Sequence, residues 1–154
     1  MTARTDEVSM LIRAPKAIIY RALLDADARL AWLPPDGMTG RIERFDPRVG
    51  GGYRMVLTYR DPTGNAGKSA PDSDVVEARF VEFVPDERVV ESIAFESEDA
   101  AIAGTMTMTW ILMAVDDGTE VRVTAAQVPE GISAEDHRAG MRSSLRNLAA
   151  FVEP

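Results

Sequence analysis

The chain has 154 residues, 45% of them hydrophobic and 27% charged, and its 17 basic and 25 acidic side chains leave a net charge of −8. This is the size of one ordinary domain, 1–154, which buries roughly 70% of the surface of its unfolded chain and needs no staples. The acidic balance argues against nucleic acid or an anionic membrane as partner. With no cysteine and one histidine, disulfides, a cysteine nucleophile, thiolate zinc and multi-histidine metal sites are all excluded.

Residues 1–8 lack the apolar core of a signal peptide, and no apolar run approaches the roughly 18 residues that span a bilayer. The cytoplasm is the expected location. Val8, Met10 and Ile12 alternate with Ser9, Leu11 and Arg13, a first strand that ends at Ala14-Pro15. Proline suits a first helical turn, and Ile18, Ile19, Ala22 and Leu23 follow at helical spacing. Asp25 or Asp27 caps a second short helix through Leu30 and Trp32, which Pro34-Pro35 stops.

From Thr39 the period becomes two. Arg41–Phe45 reads as a strand, the glycine-rich 46–52 as a turn, and Tyr53, Met55, Leu57 and Tyr59 as one face of the next strand. Residues 61–74 are rich in Gly, Pro, Ser and Asp and predict a mobile, dispensable hairpin loop. Strands follow over Val75–Val84, Arg88–Phe95, Gly104–Val115 and Thr119–Ala126, with turns at Pro85-Asp86 and Asp116-Asp117-Gly118. Ser133 and Asp136 then open a long helix, on which His137, Met141, Leu145, Leu148 and Val152 form one apolar stripe. The order predicts an α+β domain. A curved antiparallel sheet of about six strands wraps around the long C-terminal helix, with two short helices after the first strand.

That order resembles the helix-grip fold of the START superfamily, also called SRPBCC. The nearest likeness is the branch named for the C-terminal domain of the activator of the ninety-kilodalton heat-shock-protein ATPase. The similar features are Ala14-Pro15, Trp32, Phe45-Asp46-Pro47-Arg48-Val49-Gly50-Gly51, Glu82–Val89 and Gly140–Leu148. The eukaryotic namesake carries a separate N-terminal domain, for which 154 residues leave no room. The resemblance implies a fold that tends to be hollow between helix and sheet, and it carries over no shared catalytic motif.

Gly67-Lys68-Ser69 suggests a phosphate loop, but Pro62 stands where the motif needs glycine and no helix follows. Gly50-Gly51-Gly52 precedes a strand and reads as a turn or bulge. Asp72, Asp74, Asp116 and Asp117 are turn residues, and neither a metal nor a cofactor is expected. His137 is the one imidazole base; the positive end of its helix favours the neutral form. Glu91 shares a strand face with Val89, Ile93 and Phe95, so it pairs, protonates, sits in a wet cavity, or is turned to solvent by a bulge. Arg54 and Arg79 are its formal partners. Without one, Glu91→Gln would stabilise the fold at neutral pH. No residue is assigned as catalytic, and Glu91 and His137 are the candidates.

Trp32, Tyr53, Met55, Tyr59, Glu91, Met108, Trp110, Met141 and Leu145 are the expected cavity lining, with Trp110 against the long helix near Met141 or Leu145. The expected function is binding of a small, largely apolar molecule between helix and sheet. The alternatives are a cyclase- or hydratase-like enzyme using Glu91 or His137, and a protein-interaction module working with a chaperone. A monomer or a homodimer fits each.

Overall fold

The computed structural model describes residues 4–60, 68–70 and 72–154. In β1 (Arg4–Ile12) the two-residue period buries Asp6, Val8 and Ile12 and exposes Thr5, Glu7, Ser9 and Leu11. Helix α1 (Lys16–Leu23) starts behind Pro15, and the Asp25 carboxylate accepts the Ala28 N–H at 2.9 Å to cap α2 (Ala26–Trp32). The Trp32 indole N–H donates to the Ala22 carbonyl at 2.9 Å, which locks the end of α2 onto α1. Six strands follow, β2 (Met38–Phe45), β3 (Gly52–Tyr59), β4 (Ser73–Val84), β5 (Arg88–Phe95), β6 (Thr105–Val115) and β7 (Gly118–Val128).

All the strands join one antiparallel sheet in the order β1-β7-β6-β5-β4-β3-β2. Among the described residues the sheet therefore has seven strands, one more than the six or so expected, because the first pairs beside the last. Register shifts at Arg4/Asp6, Ile42/Arg44 and Phe80/Glu82 mark bulges, which bend strands and curve the sheet. The expected turn at the three glycines is present. Gly50 has φ +87°, and a Cβ on Gly52 would lie 2.0 Å from the Ala78 carbonyl oxygen, so no side chain fits where that backbone passes.

The expectation of a loose 61–74 loop is corrected where it is visible; residues 61–67 and 71 lie outside the described residues. Asp74 is a buried β4 residue and not a turn residue. Its carboxylate accepts the Lys68 backbone N–H at 2.6 Å and pairs with Lys68 Nζ at 3.1 Å. Lys68 and Ser69 are thus anchors of a strand entry. The ammonium also lies 5.0 Å from the centre of the Phe95 ring.

Helix α3 (Ala134–Val152) is capped by Ser133, whose hydroxyl accepts the Asp136 N–H. It buries Met141, Leu145 and Leu148 toward the core. Its polar side chains hold the α2–β2 connection. Ser144 donates to the Leu33 carbonyl at 2.6 Å, Asn147 donates to the Pro34 carbonyl at 3.1 Å, and Ser143 accepts the Asp36 N–H at 2.8 Å. Beyond its end, the Glu153 carboxylate accepts the Arg13 N–H. No helix among the described residues is long and apolar enough to cross a membrane.

Candidate functional site

Strand register places five side chains in one row across the inner face of the sheet. Phe80 pairs with Glu91, Glu91 with Met108, Met108 with Ala125, and Ala125 with Asp6. At roughly 4.8 Å per strand, the two carboxylates of this row are about 14 Å apart at the backbone. Ala125 and Met108 lie between them. Each carboxylate organises its own ionic cluster, one in the interior and one at the rim.

The interior cluster is built from α2. Ala28, Arg29 and Trp32 form the buried face of that short helix, and Arg29 is fully buried. Its Nε donates to the Leu23 carbonyl at 2.6 Å and its Nη1 to the Tyr53 hydroxyl at 2.8 Å. Its Nη2 lies 2.5 Å from Glu91 Oε1. That contact is one of charge rather than an aligned hydrogen bond, and among the described residues neither atom has a hydrogen-bond partner. The other Glu91 oxygen accepts the Trp110 indole N–H at 3.2 Å. The guanidinium carbon lies 5.0 to 5.7 Å from the ring centres of Tyr53, Trp32 and Phe80, so aromatic faces close the cluster. Burial alone would lower the Arg29 pKa, but the Glu91 charge and Tyr53 hold it above its ordinary value. Burial, then the Glu91 charge, pushes the Tyr53 hydroxyl up, which keeps it a neutral phenol.

Glu91 is therefore paired, and its partner is Arg29 rather than Arg54 or Arg79. Arg54 faces outward, where it meets Glu43, Glu77 and Glu96, and Arg79 is exposed. Trp110 is 2% exposed, as expected for the inner face, and its ring meets Trp32 edge-on at 5.3 Å.

The rim cluster joins β1 to the first turn of α3. Asp6 is fully buried, and its carboxylate takes Arg4 Nε at 3.0 Å, Arg4 Nη2 at 3.1 Å and His137 Nδ1 at 2.8 Å, with Arg138 at 3.8 Å. Burial pushes the Asp6 carboxyl up, but the hydrogen bonds and charges of His137 and Arg4 outweigh it and leave its pKa below the ordinary value. Burial also outweighs the pull of Asp6 on His137, whose pKa is lowered, so the imidazole is neutral at pH 7. The Lys68 charge acts in the same direction.

Between the clusters the expected lining residues divide. Trp32, Tyr53, Met55, Trp110, Met141 and Leu145 are packed into the core. Met108 and Tyr59 are only partly buried. Burial, then the charges of Asp74 and Asp136, raises the Tyr59 hydroxyl, which places it near the start of α3. Two residues of the site escaped the sequence reading, and both had a signal. Arg29 stands one helical step before Trp32 on the same face. Asp6 extends the alternation of Val8, Met10 and Ile12 by one step.

The sheet order, the long covering helix and the two short helices define a START-like helix-grip protein. The model of the family described as "Activator of Hsp90 ATPase homolog 1-like protein" matches residues 13–153, and the chain belongs to that family. It is similar to the solved structure of a protein from Chromobacterium violaceum, 32% identical over 97% of both chains, with a TM-score of 0.85. It shares the fold of a protein from Arthrobacter aurescens at 16% identity and a TM-score of 0.81, over 99% of this chain and 88% of that one. It also shares the fold of a protein from the dynemicin biosynthetic locus, at 16% identity and a TM-score of 0.68, over 97% of this chain and 47% of that one. No curated protein matches.

Proposed function

We propose that this protein binds a small, largely apolar molecule between the first turns of α3 and the inner face of the sheet. The observation that carries the reading is Met108. Its strand neighbours on the same face, Met106 and Trp110, are each 2% exposed. Met108 remains partly exposed between them, in the middle of the sheet. A thioether adapts its shape to a guest, and the partly buried rings of Tyr59 and Phe95 are further apolar surface. Arg29 and Glu91 bound the interior end and Asp6 with His137 the rim.

Titration with Nile red tests this. The wild-type protein is expected to bind the dye with enhanced, blue-shifted emission. Met108→Trp, which puts a bulkier side chain at this point of the inner face, is expected to weaken binding about tenfold, the cost of losing a pocket contact. Unchanged dye binding in a folded Met108→Trp variant would remove the basis for the reading. A second reading, an enzyme of the cyclase or hydratase kind, draws on the Asp6–His137 pair, because a carboxylate that orients an imidazole is also how a general base is held.

A further inference from the structure

The polarity of the rim can be read from its hydrogen bonds. Asp6 is buried among Arg4, His137 and Arg138, an environment that keeps it ionised and acceptor-only. A carboxylate 2.8 Å from Nδ1 requires the proton of the neutral imidazole on Nδ1. The lone pair is then on Nε2, the nitrogen turned away from Asp6. His137 is partly buried, with its side chain 10% exposed. Its contact with Asp6 puts it at the Asp6 end of the row that runs through Ala125 to Met108.

We infer that His137 Nε2 is a hydrogen-bond acceptor for the ligand, and that the ligand is an apolar molecule ending in a neutral hydroxyl donor. The inference rests on the binding reading above and adds a sign to it. An ether or ketone of the same shape offers only a second acceptor and leaves Nε2 unpaired. Charge gives neither a cation nor an anion an advantage at this rim. The carboxylates of Asp6, Asp74 and Asp136 are matched by the cations of Arg4, Lys68 and Arg138.

Calorimetry at pH 7.5 with three probes of one shape tests it: 2-naphthol, 2-methoxynaphthalene and 2-methylnaphthalene. The wild-type protein is expected to bind the naphthol about five- to tenfold tighter than the other two, the value of one hydrogen bond. His137→Phe is expected to bring all three within about twofold by weakening the naphthol alone. The wild-type comparison stands even where the variant fails to fold. Equal affinities for naphthol and methylnaphthalene would overturn the inference and leave the binding reading intact. A methoxy probe that binds as well as the naphthol would overturn it too, since the rim would then be a donor. A preference for naphthol that survives in folded His137→Phe would place the acceptor elsewhere and overturn the assignment. Failure of all three to bind would overturn the inference together with the binding reading.

Discussion

The interior and rim clusters hold a carboxylate each, in the same row of the same sheet, and differ in what can reach them. Arg29 and Glu91 are 0% and 1% exposed and closed in by aromatic rings. Asp6 is just as buried, but its partners Arg4 and Arg138 are 31% and 41% exposed. A sealed pair must neutralise itself and so serves shape. A half-open pair fixes one side of an imidazole and leaves the other for solvent or a guest. The same residue types thus divide between architecture and chemistry according to the solvent exposure of their partners.

The largest effect comes from unsealing the interior. Glu91→Gln leaves Arg29 buried without its counter-charge and is expected to cost about 3–5 kcal/mol in urea unfolding. The opposite sign is expected only for a Glu91 without a partner, and the pairing with Arg29 removes that case. Arg29→Met combined with Glu91→Leu removes both charges and is expected to recover most of the loss. A double variant as unstable as the single one would show that packing, and not the unpaired charge, sets the cost.

At the rim the effect is smaller and depends on pH. His137 has a folded pKa below its unfolded value of about 6.5, so the unfolded chain takes the proton first as pH falls. Its contribution is complete above that pH and is lost below it. The charged groups acting on the ring are Asp6, which favours protonation, and Lys68 and Arg4, which oppose it. Asp6, also lowered, loses its contribution in a separate window below about 3.9. Thermal melts between about pH 7.5 and 5 are expected to show a falling wild-type Tm and a flatter profile for His137→Phe. Parallel profiles would assign the slope to another group.

The outer face supplies the smallest effect and the control. Arg54 meets three glutamates there, yet water screens all of them. Arg54→Ala is expected to move Tm by no more than about 1–2 °C, with any change shrinking in salt. A large drop would mean that ion count rather than burial governs this fold.

The fold was legible because its signals are local. The alternation through Tyr53–Tyr59 and Met106–Leu112, the Asp25 and Ser133 caps and the turn at Pro85-Asp86 each depend on neighbours in sequence. The site was half legible. Glu91 stood out as a carboxylate among Val89, Ile93 and Phe95, but its partner lies 62 positions earlier on another element. Only the meeting of α2 with β5 makes Arg29 its counter-ion. His137 stood out as the one imidazole, but Asp6, 131 positions earlier, reads as an ordinary edge-strand residue until the two are seen to meet. Lys68 reads as part of a loop until Asp74 is seen to be buried. Pairwise chemistry across the sheet is what a one-dimensional pattern leaves out.

The position of β1 beside β7 has a consequence for how the chain is made. Its register joins Val8 to Val123 and Ile12 to Thr119, contacts between residues more than a hundred positions apart. On the ribosome β1 therefore emerges long before its partner, and its amphipathic edge stays unpaired until residues 118–128 have been synthesised. Closing so long a loop raises the contact order above that of the hairpin pairings and slows this step of folding. The charged and polar residues on the outward side of β1, Glu7 and Ser9 among them, are then suited to the waiting period, because they discourage the nascent strand from pairing with another molecule.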